Sequence, residues 1–114
     1  MTIEVGATKQ VLADAYTALG TWFSIHVGAT SGTGANEATG GSPAYARKQT
    51  TWAAGSAGVT AGSQLTIDLA AGTYNRVGMW TAVTAGTFRD ACAMTSTVLS
   101  IQGQILVTPT ITVS

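Results

Sequence analysis

Gln64-Leu65-Thr66-Ile67-Asp68-Leu69 alternates strictly between polar and aliphatic side chains, so its aliphatics share one face of an extended chain. That is the period of a half-buried β-strand, and it sets the fold class. Downstream, Ala70-Ala71-Gly72-Thr73 supplies a turn into a second extended run, Tyr74 to Thr81. The loop Ala82 to Thr87 repeats the Ala-Gly-Thr ending before Phe88 to Met94, which reads as shared turn chemistry rather than a repeat. Thr, Val and Ile then dominate, with strands predicted near 97–102, 104–108 and 110–114. Pro109 cannot donate to a ladder and marks an edge, a bulge or a strand break.

Upstream, Trp22-Phe23-Ser24-Ile25-His26-Val27 has the same period, with Phe23, Ile25 and Val27 expected on the core side, opposite Trp22, Ser24 and His26. Residues 44–53 read as another strand, followed by a Gly/Ser/Ala turn at 54–63. Between these two strands, residues 28–43 hold five glycines and no Val, Ile, Leu or aromatic, so a long loop is expected there. Only residues 8–19 carry helical spacing. Val11, Leu12, Ala15 and Leu19 fall on one side and are expected to dock on the sheet, with Thr8 as N-cap and Gly20 as the stop. The expected architecture is mainly β, a small β-sandwich or open barrel of about seven short strands with one N-terminal helix packed against it. Residues 1–114 form one domain, residues 1–7 being an N-terminal arm.

Composition narrows the function classes. Charged residues make up 9% of the chain, five basic against five acidic, which leaves no electrostatic footprint for nucleic acid or an anionic membrane. No apolar run approaches the roughly 20 residues that span a bilayer, and the N-terminus lacks the regions of a signal peptide. A chain made and kept in the cytosol is therefore expected. A soluble domain usually carries about 25% charged residues, so this one presents Thr, Ser, Gly and Ala outward, and its near-zero net charge favours association with neighbours.

The order of segments is itself distinctive: His26 in the first strand, then Thr33-Gly34-Ala35-Asn36-Glu37-Ala38-Thr39-Gly40-Gly41, Tyr45-Ala46-Arg47-Lys48, Thr51-Trp52, Gly78-Met79-Trp80-Thr81-Ala82 and Gly86-Thr87-Phe88. This set resembles the small bacteriophage virion structural proteins commonly labelled phage tail fiber protein (Gp80-like), over roughly residues 8 to 114. The resemblance implies a virion component.

Few residues carry chemistry. His26 is the one histidine, and its strand setting predicts a hydrogen-bonded structural role rather than catalysis. Cys92, the one cysteine, excludes an internal disulfide and is expected to be a small buried hydrophobe. Gly32-Thr33-Gly34 misses a dinucleotide-binding pattern by its third glycine, and no phosphate-binding lysine follows. No metal site, cofactor or catalytic set is expected. Trp80 and Trp52 read as core, Trp80 between sheet and helix, whereas Trp22 and Tyr45, nearer the loops, are the aromatics expected to face a partner. Asn36 can organise its loop, and Glu37 can reach Arg47, either as an internal clasp or as a contact to another subunit. The candidate assembly contact is Asn36, Glu37, Tyr45, Arg47, Lys48 and Trp22.

The expectation is a non-enzymatic virion structural protein. A capsid decoration or minor capsid subunit, bound in many copies, is preferred because the chain has no heptad region, elongated repeat or separate attachment domain. The alternative is a minor tail or tail-fibre component, with a carbohydrate- or receptor-binding module as a variant that requires exposed aromatics beside Asp, Asn or Glu. Expected partners are the major capsid protein or tail proteins of the same virion and further copies of the chain.

Overall fold

The computed structural model describes residues 2–114; Met1, and with it the start of the expected N-terminal arm, lies outside the described residues. One helix, α1 (Gly6–Thr17), precedes eight strands: β1 (Trp22–His26), β2 (Lys48–Gln49), β3 (Val59–Ala61), β4 (Leu65–Leu69), β5 (Gly72–Trp80), β6 (Phe88–Leu99), β7 (Gly103–Val107) and β8 (Thr110–Thr112). The main sheet has the order β2-β1-β5-β6, and two-stranded pairs β3-β8 and β4-β7 complete the fold. All pairings are antiparallel. The sheets do not close into a barrel.

The alternation in residues 64–69 is realised as predicted. Leu65, Ile67 and Leu69 are buried and pack with Phe23, Ile25, Tyr74 and Met79, while Val77, Ile105 and Val107 close the margins. Each such side chain stabilises the fold by roughly 1.5–3 kcal/mol on burial, so the β4-β7 pair is held to the main sheet chiefly by area. In β1–β5 register, Phe23 faces Met79 and Ile25 faces Val77, which unites the apolar residues of both strands on this one face.

Several sequence expectations are corrected. The helix spans 6–17 rather than 8–19; its N-cap is Val5, without a side-chain cap bond, and Thr8 lies inside the first turn. Its buried residues are Ala13 and Thr17, not Val11, Leu12 and Leu19, which are exposed. It packs on β3 and β8, where Gln10 donates to Thr60 Oγ1 (3.0 Å) and accepts from the Gly58 amide (3.0 Å). Close approach to a strand pair selected small and hydrogen-bonding residues over large apolar ones.

Val27 lies beyond β1 and is exposed, whereas Ser24 and His26, expected opposite the core, are fully buried. The strand expected at 44–53 shrinks to Lys48–Gln49, since the following residues leave the ladder after a bond from the Thr50 amide to the Thr21 carbonyl (2.9 Å). The strands expected to start at Phe88 and at residue 97 are one twelve-residue strand, β6. Register shifts against β5 absorb its extra residues, one of them between the Met79↔Asp90 and Trp80↔Phe88 pairs. That shift turns Phe88 to the face opposite Asp90 and Cys92. Cys92 is exposed, in a cleft of about 380 Å³ that it lines with Val77, Met79 and Val107 beside this edge strand. Pro109 separates β7 from β8 as a strand break.

Candidate functional site

The second face of the main sheet is covered by loops, and there the expected site residues converge. Loop 28–43 runs back along β1: the Val27 amide donates to the Asn36 carbonyl and the Ala38 amide to the Ile25 carbonyl, both at 2.9 Å, around a His26↔Glu37 bridge. Asn36 takes a left-handed conformation (φ 62°), and its side-chain amide donates to the Ala29 carbonyl at 2.8 Å, closing the turn. Gly34 (φ +75°) lies flat on Trp80, and a side chain there would collide with the indole. Gly78 leaves room in the same way, since an added Cβ would meet Ser24 Oγ at 2.5 Å and His26 Nε2 at 2.8 Å.

Arg47 is the centre of this layer. Its Nε and Nη2 donate to Glu37 Oε2 and Oε1, each at 2.8 Å, in a bidentate pair. Its Nη1 donates to the carbonyls of Ala82 (3.0 Å) and Ala85 (2.9 Å), and its guanidinium stacks on Trp80 at 3.5 Å from the ring centroid. One side chain, 8% exposed, thus ties loop 28–43 to loop 82–87 and to the sheet. Tyr45 supports it from the strand edge, donating to Glu37 Oε2 (2.7 Å) while its hydroxyl accepts from the Ile25 amide (3.3 Å).

Beneath Arg47 the bonds continue inward. Trp80 Nε1 donates to Ser24 Oγ (2.8 Å), Ser24 Oγ lies 2.6 Å from His26 Nε2, and His26 Nδ1 lies 2.8 Å from the Ala35 carbonyl. The carbonyl can only accept, so Nδ1 carries the proton, and Ser24 donates to a neutral Nε2. Burial pushes the His26 pKa down, against the opposing pull of the Ala35 hydrogen bond and Glu37. For Glu37, burial acts to raise the pKa, but the bonds from Arg47 and Tyr45, with the Arg47 charge, together hold it below its usual value. Burial and then Glu37 push the Tyr45 hydroxyl up. Phe88 completes the layer, edge-on to Trp80 at 5.1 Å.

The structure therefore brings Asn36, Glu37, Tyr45 and Arg47 together, with Glu37 and Arg47 joined as an internal clasp. Lys48 and Trp22 sit one step along on the β1–β2 ladder, both half-buried. Tyr45 is half-buried with its hydroxyl engaged inside. Trp80 is core, as expected, but under the loops rather than between sheet and helix, because its strand position shares the face of Ser24. Sequence reasoning did not connect Trp80, Ser24 and the Ala82 and Ala85 carbonyls to Arg47. The available signal was a polar strand face, Ser24 and His26, opposite a glycine, Gly78.

A cleft of about 280 Å³ opens beside the clasp, lined by Glu37, Tyr45, Arg47 and Val83 among others. Four of the five Arg47 N–H donors already have partners within the chain, so the guanidinium acts as a clamp rather than a ligand grip. Among the described residues no group of His, Cys, Asp and Glu is gathered that could hold a metal ion. Among the described residues no helix is long and apolar enough to cross a membrane.

A protein-family model described as podophage GP4 fiber I protein gp80 matches residues 8–114. No curated protein and no solved structure matches the chain.

Proposed function

Because the chain belongs to the podophage GP4 fiber I protein gp80 family, we propose that it is a non-enzymatic structural subunit of a phage fibre or of the tail region that carries one. The observation that carries this reading is the family match, which takes in almost the whole chain, most of α1 and all eight strands with it. It weighs for the fibre alternative over the capsid-decoration subunit expected from the sequence. The preference for the head rests on the lack of an elongated repeat or a separate attachment domain, and a fibre can equally be assembled from short modules.

The structural role also fits the use made of the polar residues. Arg47, Glu37, His26 and Ser24 are spent on fixing two loops to a sheet, which yields a rigid surface. The proposed assembly contact is the rim formed by Asn36, Lys48 and Trp22, with Glu37, Tyr45 and Arg47 holding it from beneath. Its partners are tail or fibre proteins of the same virion and further copies of this chain.

Gold-labelled antibody against an epitope-tagged chain, imaged on purified virions, tests this reading. Label confined to the tail or its fibres is the expected result. Label distributed over the head would restore the decoration reading, and particles without label would remove the chain from the virion.

A further inference from the structure

The helix is packed inside out. Its side toward β3 and β8 consists of the half-buried Gln10 and the buried Ala13 and Thr17, while the apolar residues point to solvent: Val5 is 61% exposed, Val11 67%, Leu12 44% and Leu19 40%. An apolar stripe turned away from the only core available is a stripe kept for another chain.

We propose that α1 is the self-association element of this protein, packing against α1 of further copies with the helices parallel about a rotation axis. The register of the stripe supports a copy of the same chain as its occupant. Val5, Thr8, Leu12, Ala15 and Leu19 are separated by three, four, three and four residues, the a/d spacing of a supercoiled seam. It runs from the N-cap to just past the helix end and covers about two heptads, too short to fold alone. Here the helix is already ordered on β3 and β8, so association need not supply the cost of nucleating it.

The flanks specify direction. In parallel helices each g position faces the e position five residues further along in the neighbour. Glu4, just ahead of the N-cap, then meets Lys9, opposite in charge, and Val11 meets Tyr16. In an antiparallel pair g positions face g and e positions face e, so Glu4 and Lys9 would not meet. Neither Glu4 nor Lys9 has a salt-bridge partner among the described residues of its own chain.

A stable interface of standard size buries about 800 Å² per partner, more than a helix about 18 Å long can cover alone. The neighbouring surface adds to it. A groove of about 410 Å³ lies beside the Tyr16 flank, lined by Leu12, Tyr16, Asp90, Ile111 and Val113, and it is where Val11 of the next copy would enter. Val59 of β3 adds a further exposed apolar side chain, and Tyr16 is held in place by its hydrogen bond to Asp90. The contact does not depend on where in the virion the chain resides, and it is read on purified protein.

Sedimentation equilibrium of the full chain at tens of micromolar tests the proposal, with Leu12→Glu as the disrupting variant. The wild type should have a mass of at least twice the 11.5 kDa chain, and Leu12→Glu should fall to the single-chain mass with an unchanged circular-dichroism spectrum. A monomeric wild type, or a Leu12→Glu variant of wild-type mass, would overturn it. An Ala15→Cys/Cys92→Ser chain tests the direction, since parallel helices bring equivalent d positions opposite one another. Mild oxidation should give a disulfide-linked pair from the native oligomer, and failure to cross-link would exclude the parallel arrangement.

Discussion

The two faces of β1 are buried by different physics. On one, Phe23 and Ile25 meet Leu65, Ile67 and Met79 through area alone, an attraction that is non-directional and tolerant of small changes in shape. On the other, Ser24 and His26 are equally buried, but each is held by specified partners under Trp80 and Arg47. A polar face survives burial only when its donors and acceptors are paired, so this side is intolerant of single deletions. Both kinds of core come from one five-residue strand.

The largest effect should come from the clamp. Removing Arg47 leaves the half-buried Glu37 carboxylate with only its Tyr45 hydrogen bond and no counter-charge, strips two carbonyls of their donor and takes the cation off Trp80, so Arg47→Ala should cost about 3–5 kcal/mol in urea unfolding. Trp80→Ala should cost a similar roughly 3–5 kcal/mol. Because the two side chains share contacts, the double variant should lose clearly less than the sum. Strict additivity would mean that the stack and the bonds act independently, which breaks the picture of one network.

A sharper contrast uses adjacent residues. Ser24→Ala, on the networked face, removes one oxygen and leaves both the Trp80 N–H and His26 Nε2 unpaired, for an expected loss of about 1–3 kcal/mol. Ile25→Val, on the apolar face, removes one methylene and should cost about 0.5–1.5 kcal/mol. Equal losses, or a larger one for Ile25→Val, would show that the hydrogen-bonded face is no more specified than the apolar one.

The smallest effect is titration, and only one face has it. His26 is held neutral by burial, so its folded pKa lies below that of the unfolded chain. The unfolded state then binds the additional proton, and stability is present above about pH 6.5 and declines as pH falls below it. Glu37, also depressed, extends the decline further into acid once carboxylates begin to protonate. Chemical denaturation at pH 7.5 and 5.5 should show the loss in the wild type and a flatter profile in His26→Gln. An identical slope in both would assign the acid sensitivity to other groups.

Much of this could be read in the chain beforehand. The strand at 65–69, the turn at 82–87 and the mainly β class all follow from local pattern, which limits Pro109 to an edge, a bulge or a break without choosing among them. So did the pairing available to Glu37 and Arg47, two complementary charges ten residues apart across a glycine-rich loop. What could not be read is that loop 28–43, with no large apolar residue, serves as a lid on a core. Its contribution is backbone and glycine packed flat on Trp80, and that leaves no trace in hydrophobic periodicity.

The helix gives the general form of the division. Amino-acid order by itself determined which residues share a side, because 3.6-residue and two-residue periods are consequences of backbone geometry and need no knowledge of the rest of the molecule. It therefore identified Val11, Leu12, Ala15 and Leu19 as one stripe, and Ser24 and His26 as one strand face. Only the tertiary structure decided which way each face points. The stripe is outside because β3 and β8 accept the helix through Gln10, Ala13 and Thr17, and the polar face is inside because Arg47 draws two distant loops over it. Burial is a property of what else packs nearby, and those partners lie tens of residues away in the chain.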